Sequence, residues 1–88
     1  MTQFTDVDRS IFYKLWRNRC FGKGHMLIDN LVDGFPNNIQ GEIKAAVDEL
    51  IRRGYLIRKP TKHGYAVYLN LKNKTIIERE IRKKYSFF

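Results

Sequence analysis

The sequence predicts an α+β domain that is mostly helical, with three helices, a two-stranded β-hairpin and a fourth helix. Apolar residues recur every three or four positions in four segments, which is the period of an amphipathic helix. After Gly54 this period gives way to two short runs rich in β-branched and aromatic residues, which is typical of strands. The 88 residues are 43% hydrophobic and 30% charged, the composition of a folded globular domain.

A capping pattern opens the first helix. Thr5 stands three residues ahead of Asp8, so each side chain can bond the backbone N–H of the other. Apolar residues then follow at helical spacing: Ile11, Phe12, Leu15, Trp16 and Cys20. We therefore predict a helix from about residue 6 to 20, ended by the two glycines of Gly22-Lys23-Gly24.

The second helix is short. Helical spacing returns in four apolar residues: Met26, Leu27, Leu31 and Val32. His25 precedes them as the expected N-terminal cap, and Gly34 is the expected left-handed residue past the end, with Pro36 just beyond. These signals predict a helix near residues 25–33.

The third helix has the clearest period in the sequence. Asn37 and Asn38 offer capping side chains at its start. One helical face then collects the apolar residues Ile39, Ile43, Ala46, Val47, Leu50 and Ile51. The predicted helix covers about residues 38–53 and ends at Gly54.

The hairpin joins two β-prone runs, residues 55–57 and 65–69, through the segment RKPTKHGY at residues 58–65. Its tip carries Arg58, Lys59 and Lys62, and Pro60 with Gly64 limits how the loop bends. Such a tip suits phosphate contact, because flexible cations stand on a positioned backbone. The alternative is a solvated hairpin edge that its lysines protect from aggregation.

The last helix starts near residues 73–75 and has a basic surface. Its apolar stripe is Ile77, Ile81, Tyr85 and Phe88. Two interpretations remain open: the stripe packs on the first helix, or it pairs with the same helix of a second chain in a homodimer. We accordingly divide the chain into a domain at residues 1–70 and a C-terminal basic amphipathic helix at 71–88, for packing or dimerisation.

Charge is distributed unevenly along the chain. The formal net charge is +8, from 17 Lys and Arg against 9 Asp and Glu. Residues 1–51 carry −1, whereas residues 52–88 carry +9. A basic excess in one segment indicates a polyanionic partner such as nucleic acid, and the alternative is solubility in a small basic protein.

The order of elements and the run IKAAVDELIRRGYLIRKPTKHGYAVYLN, residues 43–70, resemble the winged helix-turn-helix family of DNA-binding domains. The likeness rests on an amphipathic third helix that ends in Leu50, Gly54 and Leu56 and leads directly into a strand. The resemblance implies a third helix in the DNA major groove, a bracing second helix and a wing that touches flanking phosphates. It also implies a transcriptional regulator, and dimerisation through the added terminal helix.

Two sets of DNA-binding residues follow from the resemblance. On the third helix they are Asn37, Asn38, Gln40 and Lys44. On the wing they are Arg58, Lys59, Thr61, Lys62, His63 and Tyr65, with Tyr65 placed to stack on a sugar or base. The acids Glu42, Asp48 and Glu49 make base readout by the helix less secure than backbone contact by the wing. They leave open an adaptor that binds another protein, or an RNA-binding factor.

Other function classes lack a pattern in the sequence. Cys20, His25 and His63 do not have the paired spacing of a zinc site, so neither a metal nor another cofactor is predicted. No catalytic constellation, and so no enzyme or small-molecule substrate, is predicted. With no apolar run near the roughly 20 residues of a membrane span and no secretory leader, we expect a cytoplasmic protein with no membrane partner.

Overall fold

The computed structural model describes residues 3–88, and its first helix begins at the predicted cap. Helix α1 (Asp6–Arg17) starts after Thr5, whose hydroxyl accepts from the Asp8 N–H at 3.1 Å while the Asp8 carboxylate accepts from the Thr5 N–H at 3.0 Å. The helix is three residues shorter than predicted. Arg19 has a φ of 56°, which turns the chain after the helix. Cys20 therefore lies in a loop, and its side chain is buried.

The second segment differs from its prediction. Met26–Leu27 is a short strand, β1, and helix α2 covers only Ile28–Asp33. His25 is not the cap, since the N-cap is Leu27 and no side chain bonds there. Gly34 has a φ of −75°, a right-handed helical value, so the predicted left-handed exit is also wrong.

Helix α3 (Gln40–Arg52) follows a 3-10 turn at Asn37–Ile39, and no asparagine side chain caps it. Ile43, Val47 and Leu50 are fully buried on its inner face. At the other end Gly54 takes a φ of 87°, and the Tyr55 N–H bonds the Leu50 carbonyl at 3.0 Å. This left-handed exit sends the chain directly from helix into strand.

The hairpin consists of β2 (Leu56–Thr61) and β3 (Gly64–Leu69). Both are longer than predicted, so only Lys62 and His63 form the loop between them. Strand β1 pairs with the other side of β3, giving an antiparallel sheet in the order β1-β3-β2. Strand β2 therefore lies at an edge, where Pro60 disturbs no ladder.

Helix α4 (Lys74–Lys84) packs against α1. Ile77 and Ile81 are fully buried in the chain's own core, so the dimer interpretation is wrong for these two side chains. Tyr85 and Phe88 lie past the helix end, where Tyr85 stacks on Tyr13 with ring centroids 4.2 Å apart. The homodimer itself stays a prediction.

One cluster of buried side chains joins the helices to the sheet. Among the aromatic side chains, Phe12 and Tyr55 are buried in this cluster. Others are half-buried against it, including Trp16, Phe21, Phe35 and Tyr68. Within residues 3–88, no helix is long and apolar enough to cross a membrane.

Candidate nucleic-acid interface

The hairpin presents cations on both faces of the sheet. Neighbouring residues of a strand point to opposite faces, so Arg58, opposite Val67, and Lys59, opposite Ala66, point apart. The Arg58 guanidinium carbon lies 4.4 Å from the centroid of the Tyr65 ring, which holds that cation over an aromatic face. Tyr65 is 52% exposed, so much of its surface stays open to a partner.

The Thr61 side chain holds the tip together. Its hydroxyl accepts a hydrogen bond from the His63 N–H at 3.1 Å and donates one to the Gly64 carbonyl at 2.6 Å. The predicted role of Thr61 as a neutral ligand contact is therefore replaced in this structure by a bond inside the turn. Lys62 and His63 are exposed at the tip that these bonds position.

The hairpin cations carry charge that no neighbouring acid compensates. Within residues 3–88 the salt bridges involve three cations, Arg9, Arg52 and Lys83. Arg58, Lys59 and Lys62 are exposed and do not pair with a carboxylate in that part of the chain. Their potential is therefore available to an anion.

The predicted residues of the third helix are divided between two roles. The Gln40 amide donates to the Phe35 carbonyl at 3.0 Å and to the Asn37 side-chain oxygen at 3.2 Å, so Gln40 and Asn37 are engaged within the chain. Asn38 and Lys44 are exposed at the start of α3 and make no side-chain bond to the described residues. Only this second pair is free to reach a partner.

Acids share the exposed side of α3. Glu42 and Asp48 are exposed, and Glu49 forms an ion pair with Arg52 one turn further on. A groove of 530 Å³ separates α3 from the start of α1, and its lining includes Asp8, Glu42 and Glu49. The helix therefore presents a mixed surface, in contrast to the hairpin.

A basic groove beside the hairpin was not foreseen. It measures 290 Å³ and lies between the loop before β1 and the edge strand β2. Its lining is Gly22, Lys23, Gly24, His25, Arg58, Lys59, Pro60 and Tyr68, with no acid among them. The sequence signal was Gly-Lys-Gly-His, but nothing local to that run shows that it lies beside residues 58–60.

The loop on the far side of this groove is closely packed. A Cβ on Gly24 would lie 2.1 Å from the Arg19 carbonyl oxygen, so only glycine fits without movement. The Cys20 carbonyl accepts from the Leu69 N–H at 2.8 Å, which ties the loop to β3. Lys23 and His25 are thus held beside the hairpin by backbone contacts.

The chain's cysteine belongs to the structural part of this loop. Cys20 is buried, and burial raises the pKa of its thiol, which favours the unreactive protonated form. Its Sγ lies 3.7 Å from the Asn18 carbonyl oxygen. Across residues 3–88, no cluster of three or more His, Cys, Asp and Glu side chains could hold a metal ion.

A comparison of the chain with family models, curated proteins and solved structures finds no match. The hairpin, the third helix and the basic groove are the parts of the molecule whose geometry and charge bear on function.

Proposed function

We propose that this chain is a winged helix domain that binds double-stranded DNA, as a transcriptional regulator. The observation that carries the proposal is the hairpin, whose exposed cations Arg58, Lys59 and Lys62 have no acidic partner among the described residues. In this proposal the hairpin lies on the phosphate backbone. The start of α3 enters the major groove.

The order of elements supports the winged helix interpretation. Helix α3 ends at Gly54 and passes directly into an antiparallel hairpin that carries the basic segment. Asn38 and Lys44, the two unengaged side chains near the start of α3, suit base edges or phosphates: asparagine pairs with adenine, and lysine reaches guanine or a phosphate. Backbone contact by the hairpin supplies most of the affinity in this proposal, and α3 a smaller share.

The test is the salt dependence of duplex binding. Each phosphate neutralised by a cation adds about 0.9 to the slope of log affinity against log salt concentration. We expect Arg58→Gln plus Lys62→Gln to lower that slope by roughly 2 and to weaken binding at every salt concentration. Fluorescence anisotropy with a labelled duplex between about 50 and 200 mM salt measures both quantities.

The matched control is Lys74→Gln with Arg79→Gln, which removes the same charge from exposed positions of α4. It is expected to leave most of the slope in place. A hairpin variant that binds duplex as the unchanged protein does would overturn the proposal for the hairpin.

A second candidate function is favoured by the groove between α1 and α3. Its lining holds three acids, Asp8, Glu42 and Glu49, against the single cation Arg53, which suits a basic protein segment, as in an adaptor. Two results together would favour this function. The chain would fail to bind duplex at low salt, and Glu42→Gln with Glu49→Gln would weaken its binding of a basic peptide. Displacement of duplex by an equal concentration of structured RNA would instead indicate an RNA-binding factor.

A further inference from the structure

We propose that the basic groove between residues 22–25 and strand β2 is a phosphate-binding subsite, which holds a backbone phosphate of the nucleic acid that the hairpin contacts. This inference rests on the proposed function and adds to it. It places a second phosphate contact outside the hairpin, on a loop that the resemblance did not implicate.

The sheet register shows which face the groove occupies. Leu56 pairs with Leu69, and both are buried in the core against the helices. Lys59 pairs with Ala66 and lies three residues after Leu56 in β2. Because side chains alternate between the two faces along a strand, this odd separation places Lys59 on the opposite, outer face. The pair Met26–Val67 brings the preceding residue, His25, alongside Tyr68, which is also on that outer face. Lys59, His25 and Tyr68 therefore share one face of the sheet, and Tyr68 also packs against the core cluster.

The charge of the groove selects an anion. Lys23 and Lys59 line it, and neither pairs with a carboxylate of residues 3–88. Arg58 also borders the groove, but its guanidinium lies over the Tyr65 ring on the other face of the sheet. Cations around a concave surface focus the positive potential and raise the local concentration of anions. Tyr68 and His25 add side chains that can donate hydrogen bonds to phosphate oxygens.

The groove has room for a phosphate group. Pockets for drug-sized molecules measure about 300–1,000 Å³. At 290 Å³ this groove lies at the lower end of that range, and residues of the edge strand β2 form one side of it. In this proposal one phosphate of the nucleic-acid backbone sits between Lys23 and Lys59.

The fixed backbone of the loop makes the contact specific in position. The Gly24 N–H bonds the Phe21 carbonyl at 3.0 Å, and the Cys20 carbonyl accepts from β3. Lys23 is exposed and stands on a positioned loop backbone. With Arg58 and Tyr65 on the other face of the sheet, a nucleic acid would be contacted on both faces of the hairpin.

The first experiment follows backbone amide NMR signals of the full chain in two titrations. One adds sodium phosphate against sodium chloride of equal ionic strength, and the other adds a 16-base-pair duplex, a length of about one and a half DNA turns. We expect the signals of residues 22–25 and 58–59 to shift in both titrations. Signals of the tip, Lys62 and His63, should shift with the duplex.

The second experiment measures duplex affinity for Lys23→Gln, with Lys74→Gln as the matched exposed control. Loss of one phosphate contact lowers the salt slope by about 0.9, which corresponds to a roughly eightfold loss of affinity at 0.1 M salt. The control should change affinity less than twofold. Thermal unfolding of both variants checks that the fold is retained.

The outcomes separate this inference from the proposed function. If the tip shifts with duplex while residues 22–25 respond in neither titration, and Lys23→Gln binds as the unchanged protein does, the subsite is refuted and DNA binding stands. If nothing responds to duplex but residues 22–25 and 58–59 respond to phosphate, the proposed function fails and the groove is an anion site for a free phosphate ligand. If neither region responds in either titration, both proposals are refuted.

Discussion

Gly24 shows how one residue fixes the position of the basic loop. A methyl group there would meet the Arg19 carbonyl oxygen at 2.1 Å, and that oxygen belongs to backbone that cannot rotate away. The loop backbone would have to move, and with it Lys23 and the link from Cys20 to β3. The absence of a side chain at residue 24 is therefore required for the loop conformation that places Lys23 in the basic groove.

We predict that Gly24→Ala lowers the free energy of unfolding by about 1–3 kcal/mol, the usual cost of forcing extra atoms into a packed site. Urea denaturation measures this change. The matched control is Gly41→Ala in the first turn of α3, where an added Cβ meets no atom within 4 Å. There alanine should stabilise the helix by up to about 1 kcal/mol. An equal effect of the two substitutions would show that Gly24 is not confined as the structure indicates.

Glu80 is the buried charge that joins α4 to α1. Its carboxylate, only 3% exposed as a residue, accepts from Lys83 at 2.9 Å and from Arg9 at 3.0 Å. Burial by itself would raise the pKa of Glu80, but the hydrogen bonds and charges of Lys83 and Arg9 outweigh it and hold the pKa below its usual range. The ionised carboxylate therefore stabilises the folded state.

The pH dependence of stability follows from the sign of that shift. The contribution of Glu80 is complete above the unfolded pKa, about 4.3 for glutamate, and is lost as the pH falls through the lower folded pKa. We expect Glu80→Gln to lower the free energy of unfolding at pH 7 by about 1–3 kcal/mol, and to flatten its fall in more acidic solution. Denaturation at a series of pH values measures both effects. Glu49→Gln, at an exposed ion pair, should cost at most about 0.5 kcal/mol, and a similar profile for the two variants would contradict this account.

Elements whose signals are local could be predicted from the sequence. Helices α1, α3 and α4 and the hairpin form where capping, periodicity and β propensity predict them. Strand β1 could not be predicted, because two residues carry too little pattern and become a strand only by pairing with Val67 and Ala66. The extent of β2 was missed because Pro60 and two cations, Arg58 and Lys59, discourage a strand in a local window, whereas an edge position tolerates them.

The same distinction between local and long-range sequence signals applies to the candidate site. The hairpin cations lie within five residues of one another in the sequence, at positions 58, 59 and 62, so their clustering was predictable. The basic groove was not, because its two sides meet only when the loop before β1 crosses to the sheet. Gln40 and Thr61 were assigned to a partner from the family resemblance, but a short-range hydrogen bond engages each of them within the chain. Composition alone does not distinguish these two uses.

At the scale of the whole molecule, several of the 17 Lys and Arg are engaged within the chain. Arg53 lies over the Phe4 ring at 4.5 Å, and Arg52 and Lys83 pair with acids. Exposed cations without a paired carboxylate lie at the hairpin, at the basic groove and on α4, while Glu42 and Asp48 stand exposed on α3. Variants that remove the charges of Glu42 and Asp48 can therefore test whether α3 approaches the duplex.

We predict that Glu42→Gln plus Asp48→Asn strengthens duplex binding, because the proposed function brings α3 close to phosphates. Two unit charges about 7 Å apart in water interact by about 0.6 kcal/mol, so removing two repulsions should raise affinity roughly five- to tenfold at low salt. The control, Asp33→Asn plus Glu78→Gln, makes the same change in net charge on α2 and α4 and should have a smaller effect. Equal effects of the two pairs would place α3 away from the duplex, since only net charge would then matter. Contact would in that case be confined to the hairpin and the basic groove.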